Sequence, residues 1–232
     1  MKILNLDQGS AEWHKWRTVR PTASEFAKIY TGTGKTSEQR EMYLRRLAIA
    51  TEFEVPGFSG NEWTDRGHEL EPIALQRLID ETGFDIRTAG LCIKDGAIRG
   101  ASPDGLIYHN DKPIGGVEIK CYKLEKHLAI INGGKLPTEN KPQVHGSLDV
   151  TGLPCWLYVN YCPEAWPLDF NVIEVTPDSY TESLSAALDD AEKDLRDNWE
   201  RWLQEYKDAM LNKSPQKYAP VTWQSIYGKG EL

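Results

Sequence analysis

Cysteine is scarce in this sequence, and what there is forms no motif. Cys92, Cys121, Cys155 and Cys162 include no CxxC pair. Neither a zinc cage nor a disulfide framework is suggested, and reduced thiols in a cytoplasm fit best. Long apolar runs are missing: nothing approaches the roughly eighteen residues that a membrane span needs, so no membrane partner is expected. The opening MKILNLDQGS has neither the length nor the apolar centre of a signal peptide, which again points to a cytoplasmic protein. There are no internal repeats and no low-complexity tract. Thr31–Lys35, TGTGK, ends in Gly-Lys but lacks the GxxxxGKS/T spacing of a phosphate-binding loop, which removes ATP binding. Positive charge is also short. The 27 Lys and Arg against 35 Asp and Glu leave a net charge of −8, superficially a poor match for nucleic acid.

What is present is an ordinary aqueous composition. At 232 residues, 40% hydrophobic and 27% charged, the chain is long enough for one large domain with a substantial core. The charge is uneven, and its distribution matters more than its sum. His14–Arg46 holds eight Lys and Arg against three Glu, while Glu174–Lys207 holds ten acids against four cations. An acidic outer surface around a basic inner one would suit a protein that threads DNA through a confined path. A protein with one solvated acidic helix has the same pattern.

The most informative stretch is Ala101–Cys121, ASPDGLIYHNDKPIGGVEIKC. Asp104 sits in a Ser-Pro-Asp-Gly corner, a polar turn is expected through Asn110–Gly116, and Val-Glu-Ile-Lys follows. Val117, Ile119 and Cys121 alternate with Glu118 and Lys120, the period of a half-buried strand, so Glu118 and Lys120 share a face. Folding that strand back beside Leu106–Tyr108 would bring Asp104 near Glu118. Two carboxylates and an ammonium in one spot suit a hard cation such as Mg²⁺, which takes oxygen ligands and keeps several waters. A lysine there can position or help deprotonate an attacking water and offset charge on a phosphate. The pattern reads as a metal-dependent phosphodiester hydrolase. Taken alone, Glu-x-Lys equally describes a cross-strand ion pair on an ordinary hairpin.

Around that stretch, Gln8–Arg20 reads as a short helix with Trp13 and Trp16 on one side, stopped by Pro21. Thr22-x-x-Glu25 has capping-box spacing and is expected to open a helix through about Tyr30. Ser24 in its first turn and Arg17 nearby would make an anion site, or simply a capped helix beside a surface arginine. Ser37–Thr51 is a basic-flanked helix and residues 54–61, with Phe58, a loop. Trp63–Thr82 is a helix with Leu70, Ile73, Ala74, Arg77 and Leu78 at helical spacing. Its Glu69 and Glu71 either lie near a catalytic pocket or suit the helix dipole. Ile86–Ile93 and Ala97–Gly100 look like strands. Lys123–Ile131 is a helix, and another opens at Pro142 and runs to about Thr151, with Gln143 in its first turn. His145 is expected to face solvent or a neighbouring helix. Trp156–Cys162 and Phe170–Val175 are strands, and a long acidic helix over about 179–210 precedes an extended tail.

Six segments then carry a resemblance: WHKWR (13–17), TASEF (22–26), RGHELEP (66–72), SPDG (102–105), VEIKC (117–121) and KPQVHGSLDVTG (141–152). In this order they resemble the phage lambda exonuclease and YqaJ-type viral recombinase family of the PD-(D/E)xK nuclease superfamily, here as a prophage-encoded bacterial member. The resemblance implies a restriction-endonuclease-like α/β fold, a mixed central sheet flanked by helices, as a single nuclease domain over 1–232. It implies a processive 5′→3′ exonuclease on double-stranded DNA ends, with Mg²⁺ or Mn²⁺ and two ions per site. It further implies a homotrimeric ring and a single-strand annealing recombinase partner in phage-type recombination. Carried over by position, Asp104, Glu118 and the Ile119 carbonyl are metal ligands, and Lys120 is the catalytic lysine. Glu71, the last residue of Gly-x-x-x-Glu, holds the second metal, and Gln143 contacts the metal shell or its water. Arg17, Ser24 and Ser102 fall where the terminal 5′-phosphate binds. A structure-specific or restriction-type endonuclease, or an inactive DNA-end-binding protein, are the alternatives. Intact Asp104, Glu118 and Lys120 oppose the second, and the lack of a base-reading module opposes the first.

Overall fold

The computed structural model describes residues 1–53 and 62–211. The expected loop with Phe58 and the expected tail lie outside the described residues.

Strand β1 (Lys2–Leu4) leads to helix α1 (Ala11–Thr18), whose first turn is capped by the Ser10 hydroxyl accepting from the Trp13 N–H at 3.2 Å. The capping box expected at Thr22 does not form. Thr22 makes no cap bond, Glu25 pairs with Lys28 instead, and residues Ala23–Lys28 wind as a 3-10 helix. The reason lies outside the segment: Thr22 is held extended by a parallel bridge to Gly100, whose N–H donates to the Pro21 carbonyl at 3.0 Å. Helix α2 (Arg40–Ile49) and helix α3 (Glu62–Thr82) follow, and Gly83, at φ +68°, ends the latter. On α3, Ala74 and Leu78 are buried, but Ile73 faces out.

The chain then enters two sheets. Strands β2 (Asp85–Arg87) and β3 (Leu91–Ile93) replace the longer strand expected over Ile86–Ile93, and β4 (Gly100–Ala101) is a shorter, shifted form of the strand expected over Ala97–Gly100. The segment changes sheets at Ala89 and Gly90, where a Cβ on Gly90 would meet the Leu6 carbonyl at 2.1 Å. One sheet has the order β1-β3-β4. The other is β2-β5-β6-β7-β8, with β5 (Gly105–His109), β6 (Lys112–Lys120), β7 (Trp156–Tyr161) and β8 (Phe170–Val175). Its β6–β7 pair is parallel and its other pairs are antiparallel, which makes it a mixed sheet. Between β6 and β7 lie α4 (Leu124–Gly133) and α5 (Lys141–Thr151), the crossover that a parallel pair requires.

The β5–β6 turn is shorter than the sequence suggests. Asn110 and Asp111, both at positive φ, close it in two residues, with His109 opposite Lys112. Gly115 and Gly116 are therefore strand residues. Gly116 lies under Trp156, where an added Cβ would sit 2.4 Å from the indole.

One apolar layer packs α3 on the sheet through Ala74, Leu78, Val117, Ile119, Leu157 and Val159. The other face carries Trp156 and Tyr158, covered by α5, the 3-10 helix, α2 and helix α6 (Ser179–Leu211). This packing brings part of the basic segment onto the acidic helix. Arg40 pairs with Asp190 and Asp194 of α6 at 2.8 and 2.6 Å, Arg45 with Glu205 at 2.6 Å, and Lys207 with Glu52 at 2.6 Å. The acidic helix thus neutralises part of the basic N-terminal segment within one subunit. Beneath it, the fully buried Arg99 meets Asp149, Asp189 and Glu192 at 2.9, 2.8 and 3.0 Å.

Candidate active site

The hairpin brings Asp104 and Glu118 together as the alternation requires. Asp104 directly precedes β5, its N–H donating to the Val117 carbonyl at 3.1 Å. Its Oδ2 accepts the Ile119 N–H at 2.5 Å. By the alternation of a strand, the Ile119 carbonyl is turned to that same edge, past the end of β5. Glu118 is buried, and its Oε1 takes two donors: Lys120 Nζ at 2.7 Å and Gln143 Nε2 at 2.5 Å. Gln143 reaches it from the first turn of α5. Glu71, half-buried on α3, lies close enough to bear on the Asp104 and Cys121 charges. Glu69, its neighbour in sequence, is exposed.

The electrostatics follow from this crowding. Burial, then repulsion from Glu118 and Glu71, pushes the Asp104 carboxyl well above the usual range, against the Lys120 ammonium and the Ile119 N–H. Burial works against the Lys120 ammonium, but Glu118 and Asp104 outweigh it and hold the lysine charged. Asp104 and Glu118 therefore share one ammonium, while Glu71 adds negative charge beside Asp104. Among the described residues no three His, Cys, Asp or Glu side chains converge tightly enough to cage an ion by themselves. The donor set nevertheless fits a hard divalent cation. Its atoms are all oxygen, its charge deficit is negative, and Mg²⁺ needs only one or two carboxylates when waters complete its shell.

Arg17 and Ser24 form a second group. Arg17 Nη2 donates to Ser24 Oγ at 2.7 Å, and its guanidinium lies over the Trp13 ring at 4.1 Å. Burial lowers the Arg17 pKa, with Glu25, Tyr43 and Glu118 opposing, so this guanidinium feels the Glu118 charge. Ser102 is linked to it through Trp13, whose indole N–H donates to Ser102 Oγ at 2.9 Å. The Ser102 hydroxyl itself donates to the Gly90 carbonyl at 2.7 Å, so here it anchors the Trp13 shelf.

Sequence reasoning missed a neighbouring set. Asn140 Oδ1 accepts from the Tyr122 and Tyr158 hydroxyls at 3.0 and 3.2 Å, and Tyr158 is the β7 partner of Glu118. Tyr122 could have been found, since it continues the alternation of Glu118 and Lys120. His145, expected to face solvent or a neighbouring helix, is buried against α6, its Nδ1 2.8 Å from Thr181 Oγ1.

A mixed sheet carrying an Asp before one strand and Glu-x-Lys on the next, with helices on both faces, is the PD-(D/E)xK, restriction-endonuclease-like nuclease fold. Within that class, the chain belongs to the YqaJ-like viral recombinase family, whose domain profile matches residues 12–154, more than half of its length. The chain is similar to the crystal structure of an alkaline exonuclease from Laribacter hongkongensis. The TM-score is 0.68 at 28% identity, over 87% of this chain and 100% of that one. The same enzyme in complex with dAMP matches at 27% identity with the same TM-score and coverage. A phage-related exonuclease from Haemophilus somnus 129PT shares the fold, with a TM-score of 0.58 at 14% identity, over 83% of this chain and 97% of that one. No curated protein matches the chain. Among the described residues, no helix is long and apolar enough to cross a membrane.

Proposed function

We propose that this chain is a metal-dependent exonuclease that degrades one strand of double-stranded DNA from its ends, 5′→3′, leaving 3′ single-stranded tails for phage-type recombination. The observation that carries the reading is the Glu118–Lys120 ion pair beside Asp104, with the Arg17–Ser24 pair near enough for its guanidinium to feel the Glu118 charge. The exonuclease relatives support the class of reaction.

In this reading Asp104, Glu118 and the Ile119 carbonyl hold one Mg²⁺ or Mn²⁺, and Glu71 helps to hold a second. Such ions activate water and stabilise charge on the transferred phosphoryl group. Lys120 orients the attacking water and offsets charge on the non-bridging phosphate oxygens. Gln143 fixes the Glu118 carboxylate by donating to Oε1. Arg17 and Ser24 grip the terminal 5′-phosphate and so place the next phosphodiester at the carboxylates. Water oxygen bonds to phosphorus while the bond to the 3′-oxygen of the terminal nucleotide breaks. The shortened strand then begins with a new 5′-phosphate, the group that Arg17 recognises, so successive cuts use one pocket.

A net charge of −8 makes lone-subunit binding to a polyanion weak and salt-sensitive, and a closed homotrimeric ring would retain DNA by topology. A single-strand annealing protein would receive the tails. The experiment is digestion of linear and covalently closed duplexes with Mg²⁺, Mn²⁺ or EDTA. Metal-dependent release of nucleotides from linear DNA alone is expected. Cutting of the closed circle would favour an endonuclease, and no release from either an end-binding protein.

A further inference from the structure

Asn140 stands at the N-cap position of α5, where an asparagine side chain ordinarily accepts a backbone N–H of the first turn. It makes no such bond. Its Oδ1 accepts the Tyr122 hydroxyl at 3.0 Å and the Tyr158 hydroxyl at 3.2 Å, and the two hydroxyls lie 3.4 Å apart. Both tyrosines belong to the catalytic face of the sheet. Tyr158 is the β7 partner of Glu118 across the parallel ladder, and Tyr122 follows Lys120 by two residues. Three residues beyond Asn140, Gln143 donates to Glu118 Oε1 at 2.5 Å. The start of α5 is thus pinned to the sheet at two points, and one of them is a carboxylate of the candidate active site.

We propose that Asn140, through the two tyrosine hydroxyls it gathers, is a positioning residue that holds Gln143 against Glu118. This rests on the nuclease reading above for its activity readout. Asn140 is 7% exposed and Tyr158 0%, so neither can act by touching DNA. Their effect must pass through the geometry of α5. Gln143 and Lys120 both address Oε1, and no hydrogen bond reaches Oε2 among the described residues. Gln143, together with Lys120, therefore fixes how the Glu118 carboxylate is turned about its own axis, and with it which oxygen is offered to a cation. Fixing a helix start with a side-chain oxygen that forgoes its own cap makes sense when the helix must be held in register with a neighbouring strand.

The test uses the full chain and a double-mutant cycle, read in two ways: Mn²⁺ binding by titration calorimetry, and steady-state release of nucleotides from linear duplex. Asn140→Leu removes the acceptor at similar volume, Asn140→Asp keeps an acceptor, and Gln143→Ala removes the held group. Asn140→Leu is expected to weaken Mn²⁺ binding and lower kcat by about tenfold to a hundredfold, the usual effect of losing a group that orients a ligand. KM for DNA ends should hardly change, and Asn140→Asp should restore most of the loss. Asn140→Leu added to Gln143→Ala should cost almost nothing further, because both changes release the same contact. Independent, additive losses would overturn the proposal, as would Mn²⁺ binding and kcat that Asn140→Leu leaves intact. If Asn140→Leu fails to fold, Tyr158→Phe, which deletes a single oxygen, takes its place in the cycle: a non-additive loss with Gln143→Ala supports the positioning role, and additive losses or none overturn it. A wild-type chain that binds Mn²⁺ but cuts no DNA would sink the nuclease reading alone, and the calorimetric cycle would still decide the positioning role. No Mn²⁺ uptake by the wild type would overturn both.

Discussion

Arg17 gives the sharpest functional expectation. Its guanidinium is fixed on two sides, by Ser24 Oγ at 2.7 Å and by the Trp13 ring at 4.1 Å, and it is drawn toward Glu118 and Glu25 by charge. If this group receives a terminal 5′-phosphate, Arg17→Ala removes a charge-assisted hydrogen bond between ionised partners. Bonds of that kind contribute about 1.5–3 kcal/mol. The preference for a phosphorylated over a hydroxyl end should then fall by about tenfold to a hundredfold at 1.4 kcal/mol per decade. Arg17→Lys keeps the charge but loses the fork and the stacking on Trp13, so it should recover only part of the preference. The assay is kcat/KM on matched duplexes that differ only at the 5′ terminus, with a thermal melt of each variant to show that the fold survives. An equal loss on both duplexes would refute the reasoning. Arg17 would then merely steady α1 through Trp13 and Ser24.

Three further outcomes are expected, two from the packing and the third, a trimer, from the family resemblance alone. Arg99→Met should destabilise the fold by about 3–5 kcal/mol in denaturant titration, because Glu192 would be left buried without its cation and Asp149 would keep only Lys94. A loss below about 1 kcal/mol would mean that Lys94 compensates through Asp149. His145 is held below its ordinary pKa of 6.5, chiefly by burial and despite Asp178. A depressed folded pKa means that the unfolded chain binds the proton first, so stability should be lost as pH falls below about 6.5, and His145→Gln should flatten that slope in melts between pH 7 and 5. Light scattering should give about three times 26.3 kDa; a monomer that degraded long duplexes without release would remove the ring.

How much of this was legible in the sequence depends on the range of the forces involved. The hairpin that joins Asp104 to Glu118 was readable because period-two alternation fixes the shared face of Glu118 and Lys120, and one turn suffices to return Asp104 to them. Helices α3, α5 and α6 were readable from apolar spacing, Pro142 and the terminal glycine. What failed depended on partners far along the chain. Gly115 and Gly116 look like turn residues, yet both lie in a strand, packed closely against Cys155 and the indole of Trp156. The Thr22–Glu25 capping box lost to a backbone bridge with Gly100. The basic surface around Arg40 and Arg45 was inferred without its acidic partners, which lie on α6 more than 140 residues later. Choosing Glu71 over Glu69 needed the resemblance, because both suit a helix start, and the structure turns only the former toward Asp104.

The most direct test of the central claim is a time course on linear duplex with Mg²⁺, one strand labelled at its 5′ end in one sample and at its 3′ end in another. Wild-type protein runs beside Asp104→Ala and Glu118→Ala. Early release of the 5′ label as a mononucleotide and late release of the 3′ label are expected, with neither released by the variants although both remain folded. Release of the 3′ label first, or near-normal release by Glu118→Ala, would contradict the account.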